Sequence, residues 1–346
     1  MKRIFPLFLA LAVAVSLLAG CGKKNAAESG ESESDKLRVV ATIFPGYDWV
    51  RQIMGDRAAA ADLTMLLDNG VDLHSYQPTT DDIIKVFDCD LFIYVGGESD
   101  GWAENALKTA ANKDIKVVSL LEVLGERVKT EEIVEGMQDA DHAHAHDHEH
   151  EHEHDREHEH DHGHDHEEEA DEHVWLSLKN AAVLVGAISD ALQELDPDNK
   201  DTYAANASAY IEKLSALDSA YQSAVDGAAR KTVLFGDRFP FRYLVDDYGL
   251  RYYAAFVGCS AESEASFETV SFLAKKVDEL ELPCVLTIEG KNHKIAETIV
   301  QSTAMKNQKV LTMDSMQSTT SEDAANGTTY LSVMEQNLSV LREALG

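Results

Sequence analysis

Eight short apolar runs, in two groups of four, constrain the fold of this chain more than any other feature of its sequence. The runs are continuous rather than alternating, they are rich in β-branched residues, and helical or turn-like stretches separate them. Such runs are typical of strands in parallel sheets, because helices cover both faces of those sheets. The sequence therefore predicts an α/β fold with two lobes, each containing a parallel sheet of four strands. The runs occupy residues 37–44, 62–67, 91–96 and 116–120 in the first group, and residues 232–236, 250–256, 284–289 and 309–313 in the second.

The longest helical segment separates the two groups. Asp196-Pro197 is a good helix start, and apolar residues then recur on one helix face as far as Gly227. We predict one rigid linker helix over residues 196–228, about 45 Å long at about 1.5 Å per residue. Two helices broken near residues 205–208 are the alternative. The apolar face comprises Tyr203, Tyr210, Leu214, Leu217, Tyr221 and Val225.

This linker helix sets the expected domain boundaries. The N-terminal lobe should occupy residues 37–195 and the C-terminal lobe residues 229–346. An acidic, histidine-rich loop at residues 138–170 interrupts the N-terminal lobe. Two domains are also the expectation for a chain of this length.

The N-terminus has the three parts of a bacterial export signal. Residues 1–3 are positively charged, residues 4–18 are almost entirely apolar, and small residues precede Cys21. The apolar run is too short to span a bilayer comfortably, and Leu-Ala-Gly-Cys resembles a lipobox, whose cysteine is lipidated. An ordinary signal peptide is the alternative. Residues 22–36 have no apolar face and are predicted to be a flexible tether, so we expect an extracytoplasmic protein anchored to the cell membrane through Cys21.

The charge and the cysteines give weaker guidance. A formal net charge of −32 argues against a nucleic-acid partner, because phosphates would be repelled. About half of that charge lies in residues 139–172, so the lobes are only moderately acidic. Cys89, Cys259 and Cys284 have no C-x-x-C spacing, and their pairing is not readable from sequence. We expect all three in the core.

The histidine-rich tract contains twelve of the fifteen histidines, interleaved with Asp and Glu. Its apolar residues are no larger than alanine, so it cannot build a core and is predicted to be disordered without metal. We expect it to bind several zinc ions weakly and to gather or sense zinc beside the cleft. A solvated acidic loop with incidental metal affinity is the alternative. The tract histidines are His142, His144, His146, His148, His150, His152, His154, His158, His160, His162, His164 and His166.

The other three histidines lie where a cleft ligand is expected. Ligands of two-lobed α/β proteins bind beyond the carboxyl ends of the strands, in the crevice between the lobes. His74 is in the loop after the second run, His173 precedes an apolar loop and a helix, and His293 follows Glu289 at the end of the seventh run. Three imidazoles with a carboxylate suit Zn²⁺, whereas a site rich in carboxylates would favour Mn²⁺.

Three segments resemble the zinc and manganese substrate-binding lipoproteins of ABC importers, most of all the zinc-type ZnuA-like members. They are residues 41–83, 173–214 and 248–254, and the likeness covers nearly all of residues 37–346. The resemblance implies two α/β lobes bridged by a long helix, with capture of a divalent metal in the cleft and its delivery to a membrane permease. Outside the histidine-rich tract, whose alternating His and Glu produce H-E-x-x-H by repetition, the chain has no H-E-x-x-H or nucleophile motif, so we do not expect an enzyme.

The resemblance also implies metal ligands. His74, in a D-x-H-x-Y-x-P-like loop, matches the family's first ligand, and His173, in H-V-W-L, matches the second. The family's third ligand is a histidine or glutamate after the first strand of the second lobe. Here Gly236 stands at that place, followed by Asp237.

We predict that the site is rearranged. His293 would supply the missing imidazole, and Asp237 or Glu289 would supply an oxygen ligand or support a ligand. The alternative is that His293 only caps its helix and that two histidines and water hold the metal. Arg238 could pair with Asp237 and compete with the metal for that carboxylate.

The expected function is therefore high-affinity zinc capture for an ABC importer by a monomer. Its expected partners are Zn²⁺, the importer's permease and, through the lipid, the membrane. A manganese-binding importer component and a zinc-storage or adhesion lipoprotein are the alternatives.

Overall fold

The computed structural model describes residues 36–110, 112–138, 169–260 and 264–346. The described residues from Leu37 onward belong to one compact unit. The predicted export signal, the lipidation site Cys21, the tether as far as residue 35 and all twelve tract histidines lie outside the described residues. No helix in the described ranges combines the length and apolar content needed to cross a bilayer.

The first sheet contains four parallel strands in the order β2-β1-β3-β4. All four residues of its central strand β3 are buried, as expected for a strand covered on both faces. The strands are β1 (Arg38–Ala41), β2 (Asp62–Met65), β3 (Leu91–Tyr94) and β4 (Lys116–Ser119). The helices of this lobe are α1 (Phe44–Met54), α2 (Thr80–Asp88), α3 (Gly101–Thr109), α4 (Leu120–Leu124) and α5 (Leu178–Leu195).

The second sheet repeats this arrangement in the order β6-β5-β7-β8, again with parallel strands. Its longest strand, β5, has an irregular register with β6 between Phe235 and Arg238. The strands are β5 (Thr232–Phe239), β6 (Arg251–Val257), β7 (Cys284–Thr287) and β8 (Lys309–Thr312). The helices are α7 (Arg242–Tyr248), α8 (Phe267–Glu279), α9 (Lys294–Ser302), α10 (Ser321–Ala325) and α11 (Tyr330–Leu345).

A single long helix, α6 (Lys200–Gly227), lies between the two sheets in the sequence. A 3-10 turn at Pro197–Asn199 precedes it. The helix is continuous through residues 205–208, so the alternative of two helices is wrong. All six residues of the predicted apolar face are buried. Two parallel-sheet lobes joined by a long helix confirm the predicted fold class.

The last helix, α11, returns from the second lobe to the first. The Tyr330 hydroxyl donates a hydrogen bond of 2.6 Å to the carbonyl oxygen of Trp175, and its backbone N–H donates one of 2.9 Å to Asp48. Its ring also lies edge-on to Trp49, with centroids 5.2 Å apart. The largest cluster of buried apolar residues accordingly runs through both lobes.

Candidate metal centre

Two loops of the first lobe bring their histidines together beyond the strand ends. His74 lies in a 3-10 turn at Leu73–Ser75, and the Asp72 side chain caps this turn by accepting a 2.9 Å hydrogen bond from the His74 N–H. His173 directly precedes a second 3-10 turn at Val174–Leu176, whose three side chains are buried. Trp175 anchors that turn, because its Nε1–H donates a 2.8 Å hydrogen bond to the Ser315 carbonyl oxygen.

The two imidazoles converge through the same ring atom. The Nε2 atoms of His74 and His173 are 3.1 Å apart. Two nitrogen ligands of one tetrahedral zinc, each about 2.0–2.1 Å from the metal, are about 3.3–3.4 Å from each other. The pair therefore has close to the spacing that one bound zinc requires.

The opposite ring atoms are held by oxygen atoms. Nδ1 of His173 is 2.9 Å from Oδ1 of Asp171, which also accepts a 2.9 Å hydrogen bond from the His173 backbone N–H. Nδ1 of His74 is 2.8 Å from the Ser99 hydroxyl and 3.4 Å from Oε2 of Glu172. The Asp171 carboxylate accepts, which assigns the Nδ1–H tautomer to His173 and leaves its Nε2 lone pair available to a metal. The Ser99 hydroxyl can donate or accept, so His74 can present its Nε2 lone pair when Nδ1 carries the proton. Metal-binding histidines usually have such a partner on the other nitrogen.

Burial keeps His74 neutral. Its pKa is lowered from 6.5 to about 3, first by burial, then by the nearby His173, with Asp72 acting in the opposite direction. Burial works to raise the pKa of Asp72, but Arg238 and His74 outweigh it and the net shift is downward. The imidazole of His74 is therefore unprotonated at any physiological pH and needs to lose no proton to coordinate.

Glu172 adds a buried carboxyl group beside these rings. It is 2% exposed, and burial is the main cause of its raised pKa. Its Oε1 accepts a 3.0 Å hydrogen bond from the Ser99 N–H, whereas its Oε2 makes no hydrogen bond to any described residue. That free oxygen faces Nδ1 of His74. A cation bound to the two Nε2 atoms would therefore be offset by a carboxyl group close behind the rings.

The second lobe contributes Cys259, just beyond the end of β6. Within the described residues, one group of three or more His, Cys, Asp or Glu side chains has all its ligand atoms within 4.8 Å of one another, and it comprises His74, His173 and Cys259. A cavity of about 270 Å³ borders His74 and Cys259. Its other lining residues are Glu98, Ser99, Glu169, Ala170 and Glu172.

The sequence interpretation missed Cys259. The expectation of three core cysteines is right for Cys89 and Cys284, which are buried, but wrong for Cys259, which is only partly buried. All three thiols are free. Burial and the neighbouring Glu131 raise the pKa of Cys259, so its thiol is protonated without a bound cation. The sequence did contain a signal for Cys259. This residue stands two positions beyond a strand, and His74 and Glu289 were chosen as candidates because they also lie beyond strand ends.

The structure gives the remaining candidate ligands other partners. Oδ2 of Asp237 accepts a 2.6 Å hydrogen bond from Thr287, whose hydroxyl is also 3.1 Å from Nδ1 of His293. Glu289 accepts hydrogen bonds from Ser315 and Gln317. Asp237 and His293 are thus brought together, but neither they nor Glu289 belong to the group formed by the two N-lobe histidines. Direct ligation by these three residues stays a prediction.

The end of β5 also differs from expectation. A Cβ atom at Gly236 would lie 2.5 Å from the Cα of Ala296, so a histidine here would collide with α9. The β5 side chain that reaches the His74 loop is Arg238, whose Nη2 is 2.7 Å from Oδ2 of Asp72. The guanidinium of Arg238 therefore pairs with Asp72 across the cleft, and from Arg238 the Asp237 carboxylate accepts only the backbone N–H, at 2.9 Å.

The sequence matches a known family over most of its length. The model of the family ZnuA, described as zinc-uptake complex component A, periplasmic, matches residues 39–344. The zinc-binding lipoprotein AdcA of Streptococcus pneumoniae serotype 4 is 31% identical over 343 residues, which are 99% of this chain and 61% of the relative. The high-affinity zinc uptake system protein ZnuA of Bacillus subtilis is 30% identical over 97% of this chain and 96% of its own length. This chain therefore spans about three fifths of the streptococcal relative.

Solved structures agree with the sequence matches. The Zn(II)-bound ZnuA-like domain of Streptococcus pneumoniae AdcA has a TM-score of 0.65 and 28% identity, over 90% of this chain and 99% of that one. The metal-dependent lipoprotein YcdH of Bacillus subtilis has a TM-score of 0.67 and 26% identity, with the same coverage.

Proposed function

The chain belongs to the family of zinc-uptake complex component A, and from this premise we propose that it captures Zn²⁺ outside the cytoplasmic membrane for an ABC-type importer. This family consists of components of uptake complexes and not of enzymes, as the sequence interpretation expected. Zinc is the cargo, taken up in the cleft and passed to a membrane permease. The relatives, a zinc-binding lipoprotein and a high-affinity zinc uptake system protein, support this proposal.

The observation that carries the proposal is the convergence of two Nε2 atoms at 3.1 Å. Each Nδ1 atom has an oxygen partner, so both Nε2 atoms face the space between the rings. A divalent cation bound there gains two nitrogen ligands. Nitrogen ligands favour Zn²⁺ over Mn²⁺, which prefers oxygen. Zinc is therefore the proposed cargo.

We place the protein at the outer face of the cell membrane, anchored through a lipid on Cys21. The similarity to a zinc-binding lipoprotein supports the anchor. The histidine-rich tract would gather or sense zinc, and it joins the described chain at Glu169, which lines the cavity beside His74.

Titration calorimetry of Zn²⁺ and Mn²⁺ into the full chain, with a competing chelator, tests the proposal. We expect one tight zinc site that is absent from the His74→Ala and His173→Ala variants, weaker sites that belong to the tract, and weak binding of manganese. Lys108→Ala, on an exposed helix surface, serves as the unchanged control. Tight binding of manganese would indicate a component of a manganese importer instead. If the protein has no tight metal site, the proposal is refuted.

A further inference from the structure

Cys259 reaches the two histidines because its neighbour is glycine. The turn after β6 brings Gly258 against the His173 ring, where a Cβ atom would lie 2.9 Å from Cε1. The thiol sulfur consequently lies within 4.8 Å of a ring nitrogen of each histidine. The turn belongs to the second lobe and the histidines belong to the first, so this contact joins the two walls of the cleft.

Two charged residues hold this turn in place. The Cys259 N–H donates a 2.9 Å hydrogen bond to Oε1 of Glu131, and the carbonyl oxygen of Ser260 accepts one of 3.2 Å from Arg238. The same guanidinium donates to Asp72, the residue that caps the His74 turn. Arg238 therefore ties the segment that presents the thiol to the segment that presents the first imidazole.

The ligand chemistry suits zinc. A thiolate binds zinc at about 2.3 Å and an imidazole at about 2.0–2.1 Å, so the edges of a tetrahedral site that join sulfur to nitrogen are about 3.5 Å long. The sulfur of Cys259 and the ligand nitrogen atoms of the two histidines are at most 4.8 Å apart. Each of these distances must therefore shorten by at most about 1.3 Å when zinc binds. Thiolate ligands select zinc and discriminate against manganese, which prefers oxygen.

We propose that the thiolate of Cys259 is the third protein ligand of the cleft zinc, so that the site is His₂Cys and not an all-imidazole site. Binding forms the Zn–S bond and releases the thiol proton to solvent through the adjoining cavity. Arg238 is a positioning residue, because it contacts the neighbouring carbonyl and not the metal. The inference deepens the proposed function and rests on it.

Cobalt provides the test, because Co²⁺ occupies zinc sites and a bound thiolate gives it an intense near-ultraviolet charge-transfer band. The full-length protein receives less than one equivalent of Co²⁺, which loads the tightest site first. We expect the band in the unchanged protein and in the Cys284→Ala control, whose thiol is buried elsewhere. It should vanish in Cys259→Ser. X-ray absorption at the zinc edge should show sulfur at about 2.3 Å.

Affinity measurements separate this inference from the proposed function. Cys259→Ser should weaken zinc binding more than about 100-fold, since loss of a residue that only supports a ligand already costs about 10–100-fold. Cys259→His should restore tight binding without the band, which shows that the variant folds. His293→Ala should stay within about threefold, equivalent to less than about 0.7 kcal/mol.

Tight zinc binding without sulfur in the X-ray absorption spectrum would overturn the Cys259 ligand and leave zinc capture intact. A large loss in His293→Ala together with none in Cys259→Ser would overturn it in favour of the rearranged site with His293. No tight zinc binding by the unchanged protein would refute the proposed function itself.

Discussion

Substitution of Gly258 by alanine tests the closeness of the two cleft walls with a single methyl group. The added Cβ would lie 2.9 Å from Cε1 and 3.1 Å from Nδ1 of His173, and 3.0 Å from the Phe239 carbonyl oxygen. Carbon atoms make favourable contacts from about 3.5 Å, so the turn or the ring must move by about 0.5 Å. The ring is held by Asp171 and lies against Trp175, so the turn is the part that moves.

That displacement moves the turn, and Cys259 with it, away from the His173 ring, so it adds to the distance that the thiol must close before its bond to zinc comes within about 0.2 Å of the preferred length. We expect zinc affinity, measured by competition with a chelator, to fall about 10–100-fold, or about 1.4–2.7 kcal/mol. Gly186→Ala is the matched control, since a Cβ there meets no atom within 4 Å and helix α5 should tolerate it. If Gly258→Ala binds zinc as tightly as this control, the walls are not in contact as described.

Three further predictions concern the supporting residues and the tract. Asp171→Ala removes the acceptor of both His173 N–H groups, so zinc affinity in the same competition assay should fall about 10–100-fold; a loss below about twofold would contradict this supporting role. A variant without residues 139–168 should keep the one tight zinc site and lose the weak ones in calorimetry, whereas disappearance of the tight site would place zinc capture in the tract. Burial raises the pKa of Asp100 from 3.8 to about 7, so the folded state holds this proton more tightly and the free energy of unfolding should decrease as pH rises from 4 to 7. Asp100→Asn should flatten that decrease in urea titrations across this pH range, and an unaltered slope would refute the assignment.

The sequence predicted the fold well because the responsible signals are local. Each of the eight apolar runs coincides with a strand, since β-branched residues without alternation suit a sheet covered on both faces, although β5 continues to Phe239 beyond the run that ends at residue 236. Likewise the face of α6 follows from the spacing of its apolar residues. The return of α11 to the first lobe was not predicted, because the Tyr330 contacts join residues far apart in the chain.

The candidate site was harder to predict because it depends on which side chain faces the cleft. His74 and His173 were identified from their positions in loops beyond strands, and the structure brings them together. In β5, a register irregularity decides whether residue 236 or residue 238 faces the cleft. No pattern of residues in the sequence predicts this irregularity. Cys259 was overlooked because a single cysteine without a partner at fixed spacing matches no metal motif.

The anchoring of α11 has a mechanical consequence. The chain crosses between the lobes in α6, and α11 fixes the second lobe to the first again through Tyr330, while Tyr221 of α6 donates a 2.6 Å hydrogen bond to the Met334 carbonyl oxygen of α11. Two bodies attached at two separate points can rotate freely only about the line through both, so opening in any other direction requires breaking a buried aromatic contact. We therefore expect metal exchange to proceed mainly through the strand-end loops. On that expectation little of the binding free energy is spent on moving whole lobes, and the ligand atoms themselves set how tightly the ion is held and how readily it is released.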